Sequence, residues 1–347
     1  MKVLWITDTL SHYRIDLLNE LAEEVDLTVM HNSRHVCASF SQVDLVVKSF
    51  VGFKWYVGVA GRKLEYDVVI LPFTLKLLNL YCLRKFKGKT YGVFGIGVRA
   101  SYRNTYDSSR LDAYIRSKLL NKLSFAIFYD EYPRIRFAGL GVPMSKLFVA
   151  PNTISSSSTF AISEKRFNNF VFIGSLYAEK NVRLLIQAYS LLVRDYGEVP
   201  CLDIIGEGPE LKSLVELVQE LELMEKVIFH GEILESYDLD QCMKNARVVI
   251  SPGQAGLSVL HAFSCATGFI TTMNAKTGGE RFNVVDGITG SYFDGSLLGL
   301  KSTMQDYMSD TFAKEIGNNA FIYYGLLRGK QTWRKGVLKA IRCENTD

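Results

Sequence analysis

The chain has six cysteines among 347 residues, and no two of them form a C-x-x-C pair. Scattered at positions 37, 82, 201, 242, 265 and 343, they argue against a zinc site or a disulfide framework and fit a reducing compartment. No apolar run approaches the roughly 18 residues that a membrane span needs. The opening Met1–Asp8 run is short and closed by an acid, so it reads as a first strand and not as a signal peptide. Acidic clusters are scarce. The only D-x-D, Asp238-Leu239-Asp240, stands before an apparent helix at Cys242–Ala246 and reads as a solvated helix start, not a metal site. Basic residues interleaved with aromatics in a nucleic-acid-binding pattern are missing, which speaks against a nucleic-acid partner.

What is present is a globular composition, 48% hydrophobic and 22% charged. The length suits two domains of about 150–170 residues each. Charge is unevenly shared: residues 1–160 carry 21 Lys+Arg against 13 Asp+Glu, a balance of +8, and the rest of the chain is net acidic. A basic N-terminal half suits an anionic partner, such as a membrane surface or a phosphate-bearing acceptor, or is an ordinary solvated surface.

Short apolar runs alternate with helical patterns. In the first half Val3–Thr7, Leu27–His31, Val68–Leu71, Tyr91–Phe94, Ala126–Tyr129 and Leu147–Ala150 are expected as strands. Helices are expected at Tyr13–Glu24 and at Arg110–Leu123. The second carries Leu111, Tyr114, Ile115 and Leu119 beside Arg110, Arg116, Lys118 and Lys122. Such a stripe faces either the core or an anionic membrane. The polar run Ile154–Thr159 is the best linker. The rhythm restarts with strands at Phe170–Ile173, Leu202–Ile205, Val227–His230, Ala246–Ser251 and Gly268–Thr272, and with a helix marked by Leu185, Ala188, Tyr189 and Leu192. This alternation predicts an α/β chain of two domains with parallel sheets, whose ligands lie at the carboxyl ends of the strands.

Three junctions in the second half combine a strand, a glycine turn and a helix start. They are Phe172-Ile173-Gly174-Ser175-Leu176-Tyr177-Ala178-Glu179-Lys180, Ile204-Ile205-Gly206-Glu207-Gly208-Pro209-Glu210 and the segment Ser251–Phe263, S-P-G-Q-A-G-L-S-V-L-H-A-F. A glycine turn leading into a helix offers free amides to a diphosphate. A lysine there can reach the same phosphate. Val227-Ile228-Phe229-His230-Gly231 ends a further strand, where a nucleotide base could lie. Each junction alone is most often an ordinary turn; their order along the chain is the signal.

With these pieces, and with V-V-D-G-I-T-G further on, residues from about Phe170 to Met308 resemble the donor-binding domain of family-4 glycosyltransferases. The late Gln331-Thr332-Trp333 and Val337–Ile341 resemble that family's C-terminal helix, which usually crosses back to the first domain. The resemblance implies a GT-B fold, two facing Rossmann-like domains with parallel sheets. The expected division is 1–153 for an acceptor-side domain, 154–168 for a linker, 169–320 for a nucleotide-sugar-binding domain and 321–347 for the returning helix.

The resemblance also implies a retaining glycosyltransferase acting in surface polysaccharide biosynthesis. Its donor would be a nucleotide-diphosphate sugar, and its acceptor a glycan or a lipid-linked molecule. Neither a cofactor nor a metal is implied. Lys180 and His261 are the expected catalytic residues. Gly174, Ser175, Gly206, His230, Gly231, Pro252, Gly253, Gly256, Leu257 and Ser258 are expected to hold the donor. His12, Arg14, Gly97 and Arg99, with Arg103 beyond, are the acceptor-side candidates. A cytoplasmic protein is implied, with possible peripheral contact to the inner face of the membrane through the first domain.

The chain departs from the family at three positions. The usual E-G-F-G-L-x-x-x-E has Gly253 at its first glutamate and His261 at its second, and Ser175 stands where Arg is frequent. The form P-G-x-x-G-L-x-x-x-H resembles that of a bacterial polysaccharide (O-antigen-type) subgroup. Two further readings stay open: an inactive homologue that scaffolds a partner enzyme, and a nucleotide-sugar epimerase-like enzyme. For the latter the sequence offers no fitting set of carboxylates.

Overall fold

The computed structural model describes residues 1–57, 66–85, 90–100, 106–154, 162–233 and 236–344. The chain divides into two compact units. The first draws on Met1–Ala100, Asn104–Ser155 and Gly329–Asp347, and the second on Ser156–Arg328. Arg103 and residues 155–161 of the expected linker lie outside the described residues.

The first unit is a parallel sheet. Its strands are β1 (Lys2–Ile6), β2 (Asp26–His31), β3 (Ser41–Asp44), β6 (Val68–Pro72), β7 (Thr90–Gly95), β8 (Phe125–Phe128) and β9 (Leu147–Val149). They run in the order β3-β2-β1-β6-β7-β8-β9. A separate hairpin, β4 (Val47–Phe50) and β5 (Phe53–Tyr56), lies between β3 and β6 in sequence. Helices α1 (His12–Ala22), α2 (Arg110–Leu120) and α3 (Glu131–Ala138) belong to this unit. The central strands β1, β6, β7 and β8 are apolar on both faces because both faces are covered, while the edge strand β3 is polar and partly exposed. On β1, Val3 and Trp5 enter one core cluster while Leu4 and Ile6 enter the other, the two-residue alternation of a strand.

Of the apolar stripe on α2 only Leu119 is buried in the core. Leu111 is 69% and Tyr114 55% exposed, while Ala113, Arg116, Ser117, Leu119 and Leu120 are buried. Arg116 takes a buried place on this helix. Its Nε donates to Asp112 Oδ1 at 2.5 Å, its Nη1 donates to the Phe73 carbonyl at 3.2 Å, and its guanidinium lies 5.0 Å from the Phe73 ring centre.

The second unit repeats the plan with β10 (Asn169–Ile173), β11 (Leu202–Ile205), β12 (Val227–Gly231), β13 (Ala246–Ile250), β15 (Gly268–Thr272) and β17 (Gly290–Phe293), all parallel. Their order is β12-β11-β10-β13-β15-β17. A small pair, β14 (Gln254–Ala255) and β16 (Lys276–Thr277), stands beside the sheet. Helices α4 (Val182–Tyr196), α5 (Leu211–Glu220), α6 (Ser236–Asn245), α7 (Ser258–Ser264), α8 (Leu297–Asp306) and α9 (Asp310–Tyr323) complete the unit. Ser296 and Ser309 start α8 and α9 by accepting from the amides of Gly299 and Phe312. The D-x-D lies within α6, and Asp240 is 2% exposed, so that residue is buried and not solvated.

The chain then returns to the first unit at Gly329, through α10 (Lys330–Ile341). Trp333, Val337, Ala340 and Ile341 are buried in the same cluster as Val3 and Trp5. The Trp333 ring lies 6.0 Å from Trp5 and 6.4 Å from Phe94. Trp333→Ala is expected to destabilise the first unit by about 3–5 kcal/mol, the usual consequence of emptying a large aromatic site. The midpoint of denaturant unfolding tests this.

Lys165 gives the second unit a pH dependence. Its Nζ donates to the Met243 carbonyl at 2.7 Å and to Thr267 Oγ1 at 2.8 Å in a buried site. Desolvation pushes the amine down from 10.5 to about 7, against a smaller opposing pull from Cys265. Between those values the unfolded chain holds the extra proton, so stability rises with pH from about 7 toward 10.5. Lys165→Met is expected to lose that rise. Unfolding midpoints of both proteins near neutrality and at alkaline pH provide the check, and parallel curves would contradict it.

Candidate functional site

In a parallel sheet all carboxyl ends lie at one edge, and the order reversal beside the first strand leaves a crevice there. In the second unit that reversal falls between β10 and β13. The turns leaving β10, β11 and β12 meet at this edge. Gly174 N–H donates to the Ile205 carbonyl at 3.0 Å, and Gly206 N–H donates to the Gly231 carbonyl at 2.7 Å. Gly206 has φ +138°, and a Cβ on it would sit 2.0 Å from the Gly174 carbonyl oxygen, so no other residue fits.

Lys180 is placed by the turn that leaves β10. Gly174 to Tyr177 leads into a short 3-10 turn at Ala178–Lys180, and Asn181, at φ +55°, redirects the chain into α4. The Lys180 side chain folds back so that Nζ lies 3.4 Å from where a Gly174 Cβ would be, and 5.7 Å from the Tyr177 ring centre. The residue is 8% exposed. Burial lowers its pKa. Among the described residues its ammonium has no hydrogen-bond acceptor and no carboxylate partner. A buried cation left unpaired is costly in an isolated fold and favourable once an anion arrives.

The segment after β13 closes on the same turn. Gly253 N–H donates to the Lys180 carbonyl at 3.1 Å, and the Gly253 carbonyl accepts from Lys276 N–H at 3.1 Å. A Cβ on Gly253 would lie 2.1 Å from the Glu179 carbonyl oxygen. Ser251 Oγ donates to the Gln254 carbonyl at 2.6 Å, and the Tyr177 hydroxyl donates to Gln254 Oε1. Pro252 and Gly253 are therefore fixed between the Lys180 turn and β16.

Gly256 opens onto free space, with no atom within 4 Å of the place a Cβ would take. The amides of Leu257 and Ser258 make no hydrogen bond among the described residues. One turn on, two buried polar atoms lack partners: Ser258 Oγ and His261 Nε2, three residues apart on one face of α7. Burial holds the His261 pKa below its ordinary value, and the Asp240 charge opposes this only in part, so the imidazole is neutral at pH 7. Buried polar atoms are nearly always satisfied; two orphans on the helix that follows the Gly253 turn mark a place for a ligand.

Of the residues nominated from sequence, Gly174, Lys180, Gly206, Gly231, Pro252 and Gly253 come together at this edge, and Gly253 leads directly into Gly256, Leu257, Ser258 and His261. Ser175 is a turn residue beside Gly174. His230 sits at the end of β12, but its Nε2 bonds Asp203 Oδ1 at 2.8 Å, and Asp203 also accepts from Asn169 Nδ2 at 2.6 Å. Sequence reasoning missed the loop after β16. There Thr277 Oγ1 accepts from the amides of Gly279 and Arg281 at 3.0 and 3.1 Å, and Glu280 Oε2 accepts from Gly278 N–H at 3.1 Å. Its signal was the Gly278-Gly279 pair, which leads into the short helical turn Glu280–Asn283.

In the first unit His12 is the first residue of α1, Arg99 is exposed, and Gly97 has φ +88° in a tight turn against Pro133. Arg14 lines a pocket with Tyr13, Phe94 and Tyr129.

Residues 158–320 match the family model of the group 1 glycosyl transferases. No curated relative matches the chain. Among solved structures, that of Anabaena HepE in complex with UDP is similar, with TM-score 0.69, 15% identity, and 99% of this chain and 100% of that chain covered. Sucrose-phosphate synthase from Thermosynechococcus elongatus gives 0.67 and 14%, covering 98% of each chain. The lipopolysaccharide outer core galactosyltransferase WaaB gives 0.63 and 14%, covering 99% of each. The fold is thus the GT-B arrangement of two Rossmann-like domains expected from the sequence. The second unit carries the region that matches the glycosyl transferase model.

The close approach at Gly253 generates a prediction. Gly253→Ala is expected to cost about 1–3 kcal/mol through forced backbone movement and to displace Lys180. Gly253→Glu, which supplies the carboxylate that the resemblance to family-4 glycosyltransferases implies at this position, is expected to weaken nucleotide binding instead of improving turnover. Calorimetric titration of each folded variant with UDP tests both.

Proposed function

We propose that the chain moves a sugar, with retention of anomeric configuration, from a nucleotide-diphosphate donor to a glycan or lipid-linked acceptor in surface polysaccharide assembly. The observation that carries the donor site is the Lys180 ammonium, buried beside Gly174 without a counter-charge. The match to the group 1 glycosyl transferases and the UDP bound in HepE support the same ligand class.

In this reading the diphosphate accepts hydrogen bonds from the Leu257 and Ser258 amides, while Lys180 neutralises it. As the bond from the sugar's C1 to the phosphate oxygen breaks, charge grows on the departing diphosphate, and a fixed cation there lowers the barrier. The acceptor hydroxyl bonds to C1 on the same face and gives its proton to the departing oxygen. His261, neutral and unpartnered through Nε2, suits a hydroxyl of the donor. Gly253 offers nothing but backbone, so the carboxylate contact expected in relatives is missing from this mechanism. No metal and no cofactor is required.

The acceptor belongs to the first unit. There Leu111 and Tyr114 are exposed on α2 beside Arg110 and Lys118, and this supports peripheral contact with an anionic membrane at its cytoplasmic face. No helix among the described residues is long and apolar enough to cross a membrane.

Gly253 also favours a second reading, an inactive scaffold that binds the nucleotide without turnover. Product formation from a radiolabelled donor across an acceptor panel decides between them. Lys180→Met is expected to lower turnover by about 100-fold, in line with removal of one transition-state stabilising group. It should also weaken UDP binding by about tenfold or more. His261→Ala should weaken binding less. EDTA should leave the rate unchanged. Undiminished turnover in Lys180→Met would sink the donor-site assignment.

A further inference from the structure

The first unit has its own crevice at a strand-order reversal, between β1 and β6. A pocket of about 180 Å³ opens there, lined by Thr7, Ser11, Tyr13, Arg14, Phe94 and Tyr129, with Pro72 at the end of β6. The volume is below that of pockets which enclose a whole drug-sized ligand, so it suits one group of a larger molecule.

Arg14 dominates the pocket. Its guanidinium carbon lies 4.9 Å from the Phe94 ring centre and 5.5 Å from those of Tyr13 and Tyr129. Nη2 donates to the Tyr129 hydroxyl at 2.5 Å, and Nε donates to the Tyr13 hydroxyl at 3.3 Å. Both partners are tyrosine hydroxyls, and among the described residues no carboxylate reaches Arg14. A guanidinium has five N–H groups, so three remain without an acceptor. The rings hold the fork in place without neutralising it.

The surroundings add donors and subtract acids. Ser11, at the N-cap of the 11-residue α1, makes no side-chain capping bond. Asp8, at the end of β1, is already taken: its carboxylate accepts from Lys54 Nζ and from the Tyr56 hydroxyl, each at 2.5 Å. The pocket therefore keeps the Arg14 charge uncompensated, beside a helix N-terminus and an unused hydroxyl.

We propose that this pocket binds an anionic group, carboxylate or phosphate, carried by the acceptor. Arg14 grips it through a two-pronged hydrogen bond, and the Phe94 and Tyr129 rings set the fork's plane. The word acceptor rests on the transferase reading; the anion site stands without it. A neutral hexose lacks the group this site selects, so the acceptor is an acidic sugar or a phosphate-bearing one.

Titrations use the full chain carrying Lys180→Met, so that the second unit's ammonium cannot report. Probes are inorganic phosphate, glucuronate and glucose, followed by calorimetry. Binding of phosphate or glucuronate but not glucose is expected, and the preferred anion names the source. Arg14→Gln should weaken that binding about tenfold or more, while on the otherwise wild-type chain it leaves UDP affinity unchanged. Ser11→Phe, which fills the pocket from a helix end and keeps Arg14, should abolish anion binding and serves if Arg14→Gln does not fold. No anion binding by the folded Lys180→Met chain, or equal binding in Ser11→Phe, would overturn the proposal. Loss of UDP binding in the wild-type chain would fault the donor reading and leave this one standing.

Discussion

The contact between Gly253 and the Lys180 turn governs the second unit's site. The N–H of one meets the carbonyl of the other at 3.1 Å, and the backbone approaches so closely that even a methyl group at 253 would overlap the Glu179 carbonyl. Two consequences follow from this single approach. The first loop, from β10, and the second, from β13, become one rigid rim, which fixes the Lys180 ammonium over Gly174. The same packing excludes any side chain at 253. The missing glutamate is therefore not an isolated loss: the Lys180 turn occupies the space from which a carboxylate would project.

Buried cations in this unit fall into two kinds. Lys165 is bonded to Met243 and Thr267, and Arg247 bonds the Tyr307 carbonyl at 2.6 Å and Asp310 at 2.7 Å. Both side chains hold elements together through the acceptors they reach, with the Arg247 Nε left buried without one. Lys180 has burial of the same order and no such bonds. The fold tolerates that deficit only because the rest of the unit is tightly packed, with β10, β11 and β13 contributing to one core with α4 and α5. Unsatisfied Ser258 Oγ and His261 Nε2 extend the deficit to the neighbouring helix. Stability and readiness for a ligand thus come from different parts of the same unit.

Strands with apolar runs were legible because a sheet covered on both faces needs them. Leu202–Ile205 and Gly268–Thr272 are read from sequence to the residue. The hairpin β4–β5 and β17 were not, since their residues are mixed in polarity and short, which leaves no period to detect. The stripe on α2 was left open between core and membrane, and the structure splits it: Leu119 packs, while Leu111 and Tyr114 face out as Arg116, paired with Asp112, takes a buried place. In the site, motif order located Lys180, Gly206 and Gly253. What sequence cannot express is the absence of a partner: Lys180 looks like any surface lysine until its surroundings are built. His230 shows the reverse, a residue placed at the right strand end whose ring is already engaged by Asp203.

The two units apply one architectural rule to different chemistry. In each, the sheet reverses order beside its first strand, β1 or β10, and the segment leaving that strand carries a cation with no carboxylate partner among the described residues, Arg14 or Lys180. The surroundings differ in a way that tunes selection. Lys180 is a compact charge beside glycine backbone, suited to a group approached from several directions. Arg14 is a planar fork held by rings that arrive from β7 and from the residue after β8, suited to a flat or tetrahedral oxyanion in one orientation. Because Phe94 and Tyr129 lie far from Arg14 in sequence, the cage exists only once β1, β7 and β8 are aligned in one sheet. Recognition in the first unit is therefore a property of strand register, and a lysine at position 14 would keep the charge while losing the geometry.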